Sequence, residues 1–197
     1  IGHYPLDLQQ YPSITFLSAS AHKFHGPKGI GFLYIKKGTK VVSQIKGGSQ
    51  ERELRAGTEN VMAIAGLNKA FELANSEMTS RQKTITELKD YLKKELLKAY
   101  PDLKINGGDE AYSLYTILNV SFPPHKSRDL LPFSLDLKGI AVSAGSACSS
   151  GSTAFSHVLR AIGTRDDWPA VRFSLSHLNI KKEIDQLILA LSEIFEK

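Results

Sequence analysis

The sequence predicts a mixed fold of the α/β or α+β class. Short β-branched and aromatic runs alternate with longer stretches of helical periodicity, and no segment repeats. Apolar residues make up 42% and charged residues 23%, the proportions of an ordinary folded chain rather than a disordered or fibrous one. At 197 residues there is room for one full domain, or for a small domain and part of another.

Taken in order, the runs Ile14 to Leu17 and Ile30 to Ile35 read as strands, each followed by small or turn-forming residues. Between them Ser18 to Gly29 is a compact loop with a Gly26-Pro27 turn, and Lys23 sits in it. From Asn60 onward Val61, Ile64, Leu67, Phe71 and Ala74 recur at threes and fours, which predicts a helix. Ile85, Leu88, Leu92 and Leu96 mark one face of a second, with Pro101 just past its end. Leu118, Val120 and Phe122 alternate within a strand closed by Pro123 and Pro124. Ser127 is placed to cap a helix carrying Leu130, Leu131 and Leu135 and stopping at Gly139, although Pro132 falls inside it at a cost. Ile140 to Val142 leads into the small-residue stretch Ser143 to Ser152, and a short helix near Phe155 to Ile162 ends at Gly163. Val171, Phe173 and Leu175 alternate with Arg172, Ser174 and Ser176, which turns Arg172 away from the apolar face. Ile184, Leu187, Ile188, Leu191, Ile194 and Phe195 form an amphipathic terminal helix. The shift near Asn60 from a glycine-rich, charged stretch to helix sets the expected boundary between segments 1–60 and 61–197.

Charge and cysteine usage narrow the function classes. The 25 basic and 20 acidic residues leave a net +5, but they are interspersed, so they read as solvated faces and not as a nucleic-acid surface. No apolar run approaches the ~18 residues of a membrane span, and the N-terminus lacks the layout of a signal peptide, so a cytoplasmic location is expected. The single cysteine excludes an internal disulfide and a cysteine-based metal site within one chain, and no metal is expected. The start at Ile1-Gly2-His3 leads to the expectation of a segment cut from a longer parent, or of processing.

Four places can carry chemistry. Lys23, beside His22 and Ser20 at the end of a strand, can form a Schiff base with an aldehyde cofactor, and a plain surface lysine is the competing reading. Thr58, after Gly57 and just before a helix, suits either an anion at the helix start or a capping role. Cys148 lies among Ser, Ala and Gly with no apolar neighbour nearby, which favours an accessible thiol whose ionisation needs a base or cation close by. Ser146 lacks the second glycine of a hydrolase nucleophile elbow. Arg172 offers a planar fork for a carboxylate, with a surface salt bridge as the alternative. Gly26 to Gly29 and Gly47 to Ser49 read as turns, since neither has P-loop spacing.

The segments Ser20 to Gly29, Gly47 to Asn60, Ser143 to Gly151 and Val171 to Leu175 occur in order, and together they resemble the NifS/IscS family of cysteine desulfurases, a branch of the class V aminotransferases. The similarity spans the chain and matches the C-terminal half of such an enzyme. It implies the fold-type-I pyridoxal-phosphate transferase architecture, with 1–60 ending the large domain and 61–197 forming the small C-terminal α+β domain. It places the two strands of the first segment in a mostly parallel sheet. Lys23 would hold pyridoxal 5'-phosphate covalently, Ser20 and His22 would bind its phosphate, and Thr58 would reach the phosphate of the neighbouring subunit of a homodimer. Arg172 would clamp the carboxylate of L-cysteine, and Cys148 would take its sulfur as a persulfide, leaving L-alanine and passing sulfur to a scaffold or acceptor protein. In the family, an aspartate at the pyridine nitrogen, a glutamine near the ring oxygen and a histidine stacked on the ring lie upstream of the part matching Ile1. The isolated segment is therefore expected to bind the cofactor poorly and to turn over little. His177 departs from the basic residue common after the Arg-Phe-Ser-Leu strand. A related class V aminotransferase or selenocysteine lyase, and a non-catalytic dimerisation or acceptor-binding domain, are the other readings carried forward.

Overall fold

The computed structural model describes residues 1–107, 113–125, 130–144 and 156–195. They fall into two compact units, Ile1–Ser80 and Arg81–Lys197.

In the first unit, β1 (Phe16–Ser20) and β2 (Gly31–Ile35) pair with each other antiparallel, from Phe16 opposite Ile35 to Ser20 opposite Gly31. The mostly parallel sheet expected of the larger fold allows such a pair, and these two strands run antiparallel to each other. The physical reason is length: the link Ala21 to Ile30 is shorter than the dozen or so residues that a parallel crossover requires. The link is a 3-10 turn over Ala21–Phe24, closed by Gly26 N–H donating to the Ala21 carbonyl at 2.9 Å. The close pairing also explains Gly31, where an added Cβ would run into the Ala19 carbonyl oxygen.

Helix α1 (Val61–Ser76) begins where Asn60 Oδ1 accepts from the Ala63 N–H at 3.1 Å. The expected stripe is only partly the buried one. Ala63, Ala70 and Ala74 are buried and Leu67 packs on the core, whereas Val61, Ile64 and Phe71 are exposed. Both sides of α1 are apolar, and the alanine side allows the closer approach of its neighbours. Phe71 still meets the rings of Phe24 and Phe32 edge-on, each at 6.2 Å. The cluster this unit buries is Ala21, Phe24, Ala70 and Ala74.

The second unit takes most of α2 (Met78–Ala99), whose Ile85, Leu88, Leu92 and Leu96 are buried as their spacing predicts. Strands β3 (Lys104–Asn106), β4 (Ile117–Ser121) and β5 (Ala170–Ser174) form an antiparallel sheet in that order. The short β3 is not evident in the sequence, because Ile105 is its one apolar residue. Leu118, Val120, Val171 and Phe173 turn to the core, and Asn106, Asn119, Ser121 and Arg172 share the opposite face by the period of two. Helix α3 (Leu131–Asp136) buries Leu131 and Leu135. Pro132 costs it nothing internal, since the helix starts after Leu130 and the proline lies in the first turn, where its missing N–H has no intrahelical partner. The Ser127 cap expected there lies outside the described residues. After α4 (His157–Ala161), the terminal α5 (Lys181–Phe195) buries Ile184, Leu187, Ala190, Leu191 and Ile194. Its start is fastened by Glu183, whose carboxylate accepts from Asn179 Nδ2 at 3.0 Å and from the Ile180 N–H at 2.9 Å. These bonds, the Asn179 one first, hold the Glu183 carboxyl below its usual range.

Candidate active site

Lys23 is displayed by the geometry of its turn. In a 3-10 helix residues three apart share a face. Ala21 and Phe24, 0% and 2% exposed, therefore point inward together, and His22 and Lys23 between them face solvent. Half-buried Ser20 ends β1 immediately before the turn, and its hydroxyl makes no capping bond. Among the described residues Lys23 forms no ion pair. A hydroxyl, an imidazole and an amine thus stand within four residues of chain, with their bonding capacity unspent among the described residues.

Thr58 lies in the same unit, exposed, on the approach to α1. The structure separates its two readings: the cap of α1 is Asn60, not Thr58. The preceding segment is fixed by Gly57 N–H donating to Gln50 Oε1 at 3.2 Å and Ala56 N–H donating to the Ile45 carbonyl at 3.1 Å. A hollow of about 390 Å³ lined by Lys46, Gly47, Gly48, Ser49 and Ala56 belongs to this segment. It includes none of the predicted site residues, and its walls are the turns of one stretch of chain.

Arg172 belongs to the second unit, at the centre of β5. Asn119 of β4 is its cross-strand partner on one side, and Ser143 forms a bridge with it on the other. The bridge is made by Arg172 N–H to the Ser143 carbonyl at 2.8 Å and Ser143 N–H to the Arg172 carbonyl at 3.2 Å. Arg172 Nη2 donates to Ser143 Oγ at 3.4 Å, while its buried Nε has no acceptor among the described residues. Among the described residues no carboxylate pairs with Arg172, so the surface salt bridge is not what occupies it. Along the same row Asn106 Nδ2 donates to Asn119 Oδ1 and to Ser121 Oγ, both at 2.7 Å, and Thr164 Oγ1 donates to Asn106 Oδ1 at 3.0 Å. Asn106, Asn119 and Ser143 escape a reading of the sequence, because only strand pairing sets them in one row with Arg172, and Thr164 joins them only through its bond to Asn106. Cys148 and Ser146 lie outside the described residues.

The donor set fits pyridoxal 5'-phosphate. An exposed amine suits its aldehyde, and the unspent Ser20, His22 and Thr58 groups suit its phosphate. The Arg172 guanidinium, with no carboxylate partner among the described residues, suits the addition of one.

Comparison with known proteins shows the family and the fold. The profile of the family described as Aminotransferase class-V matches residues 1–187. The chain is 43% identical over 199 residues to the cysteine desulfurase IscS of Dictyoglomus turgidum, covering 100% of this chain and 50% of that protein. It is 44% identical over 199 residues to a cysteine desulfurase of Sinorhizobium fredii, covering 100% and 51%. A solved structure of a NifS-like protein superposes with a TM-score of 0.85 at 35% identity, over 100% of this chain and 50% of that one. The fold is thus a segment of the fold-type-I architecture of pyridoxal-phosphate enzymes. The chain belongs to the class V aminotransferase family. It spans about half the length of the curated relatives it matches.

Proposed function

We propose that this chain is part of a cysteine desulfurase that converts L-cysteine to L-alanine and leaves the sulfur on Cys148 as a persulfide. The observation that carries this reading is the Ala21–Phe24 turn with Ser20 before it, where an amine, an imidazole and a hydroxyl follow closely in the chain with no competing partners among the described residues. The similarity to proteins named cysteine desulfurases over the whole chain supports the choice of reaction.

In this reading residues 1–60 close the large cofactor domain, and 61–197 form the small one, with α1 following the boundary while packing in the first unit. Ser20 and His22 hold the cofactor phosphate, and Thr58 serves the phosphate of the second subunit of a homodimer. The Lys23 amine holds the aldehyde carbon and then moves the proton at the substrate α-carbon. Pyridoxal 5'-phosphate, when bound, supplies an electron sink beside that carbon. Arg172 orients the substrate through its carboxylate. The Cys148 thiolate attacks the substrate sulfur, so that an S–S bond forms as the S–C bond breaks. The electron pair of that bond stays with carbon, which takes up a proton on the way to alanine, and no outside oxidant or reductant is needed. The persulfide is then passed to an acceptor protein.

The test is alanine release from L-cysteine by the protein as its gene encodes it, loaded with pyridoxal 5'-phosphate. Intact mass should show one added sulfur on the Cys148 peptide, and Cys148→Ala should abolish both signals. Undiminished desulfuration by Cys148→Ala would overturn the reading.

A further inference from the structure

We propose that Ser143 is the positioning residue for the Arg172 guanidinium, presenting it to the substrate carboxylate. This rests on Arg172 being the carboxylate clamp.

Arginine has a long side chain with about 2 kcal/mol of rotamer entropy, so a clamp built from it works best when its fork is held before the ligand arrives. The sheet around Arg172 provides for this unevenly. On the β4 side Asn119 stands opposite, but its carbonyl oxygen is already taken by Asn106 at 2.7 Å. Asn106 is in turn engaged with Ser121 and Thr164. That side is a hydrogen-bonded network of its own, and among the described residues none of its groups accepts from the guanidinium. On the other side Ser143 meets Arg172 with two backbone bonds, 2.8 and 3.2 Å, which fix the register of the two residues. With the register fixed, the Ser143 hydroxyl is brought to Nη2 at 3.4 Å. Among the described residues it is the acceptor the guanidinium has, and Nε beside it is left buried and open.

The arrangement divides the fork. Nη2 is steered by the protein, and Nε remains to be satisfied by something else. A 3.4 Å bond is long and therefore weak. Its role is to choose an orientation for the guanidinium, and its loss should be felt in substrate affinity more than in turnover.

Two readouts test this. In the 197-residue chain, ¹⁵N relaxation of the Arg172 Nε–Hε group, assigned by its loss in Arg172→Lys, reports guanidinium order without cofactor. Ser143→Ala should lower that order, and Ser143→Thr, which keeps the hydroxyl, should retain it. In the cofactor-loaded protein Ser143→Ala should raise KM for L-cysteine by roughly three- to tenfold, the worth of one modest hydrogen bond, with a smaller change in kcat. Ser143→Thr should restore KM. Unchanged guanidinium order in Ser143→Ala overturns the proposal. So does an unchanged KM in Ser143→Ala when Arg172→Ala raises it. If Arg172→Ala itself leaves KM unchanged, the clamp reading fails, and the relaxation data alone decide whether Ser143 positions the side chain.

Discussion

In Arg81–Lys197 the buried apolar residues of α2, β4, α3, β5 and α5 join in one cluster that includes Leu92, Leu96, Val120, Phe122, Leu131, Leu135 and Leu191. In Ile1–Ser80 the corresponding cluster is Ala21, Phe24, Ala70 and Ala74, three methyl groups and one ring, while Phe16, Leu33, Val61 and Met62 stand exposed. The Lys23 amine sits in the unit with the thin core, and Arg172 in the unit with the thick one. Burial free energy scales with apolar area removed from water, so the two units differ in how firmly they hold their chemistry. The Lys23 turn is anchored by one large side chain, Phe24, and the small Ala21, whereas Arg172 is carried by a strand with a paired neighbour on each side.

The comparison can be broken or sharpened by substitution. Leu191→Ala, at a fully buried site ringed by large side chains, should cost about 4 kcal/mol in urea unfolding of the second unit. Phe24→Ala should cost about 3 kcal/mol, because its small neighbours can partly collapse on the space. It should also erase hydrogen-exchange protection in β1 and β2 while leaving β4 and β5 protected. A loss of protection in both sheets would mean that the two units do not differ as described. Gly31→Ala should cost about 2 kcal/mol by driving a methyl group into the Ala19 carbonyl, read as faster exchange in the β1–β2 pair. Asn60→Ala should cost about 1 kcal/mol and fray the first turn of α1, seen as faster exchange of the Ala63 amide.

The smallest effect concerns acid. Glu183 has its folded pKa depressed by Asn179 and the Ile180 N–H, so its contribution is present above the unfolded value of about 4.3 and is lost as pH falls through the lower folded one. The group is largely solvent-facing, so Glu183→Gln should cost a few tenths of a kcal/mol at pH 7. The variant should show a slightly shallower fall in Tm below about pH 4.

Elements with a full turn or several alternations of large apolar residues were legible from sequence. The α2 stripe and the Leu118-Val120-Phe122 alternation lie buried as their spacing requires, and of the α5 face Ile184, Leu187, Leu191 and Ile194 are buried while Ile188 and Phe195 pack half-exposed against the core. What escaped was decided by pairing or by close approach. β3 is recognisable only through its ladder with β4. The burying side of α1 is set by alanines, which carry little hydrophobic signal, and the antiparallel course of β1 and β2 follows from the length of the link between them. The site divides in the same way. Lys23 was visible as an amine in a small-residue loop, but its outward display depends on Phe24 pointing in. Arg172 was visible on the polar side of an alternation, while Ser143 is one serine among many until the bridge to Arg172 is formed.

The row Asn106, Asn119, Arg172 and Ser143 also has a bearing on assembly. Side chains alternate faces along a strand, so a slip of one residue in β4 or β5 would turn Asn119 or Arg172 into the core and send Val120 or Val171 out to water. A guanidinium trapped among Leu, Val and Phe side chains is among the costliest errors a small sheet can make. The residue proposed to recognise substrate thereby proofreads the strand that carries it.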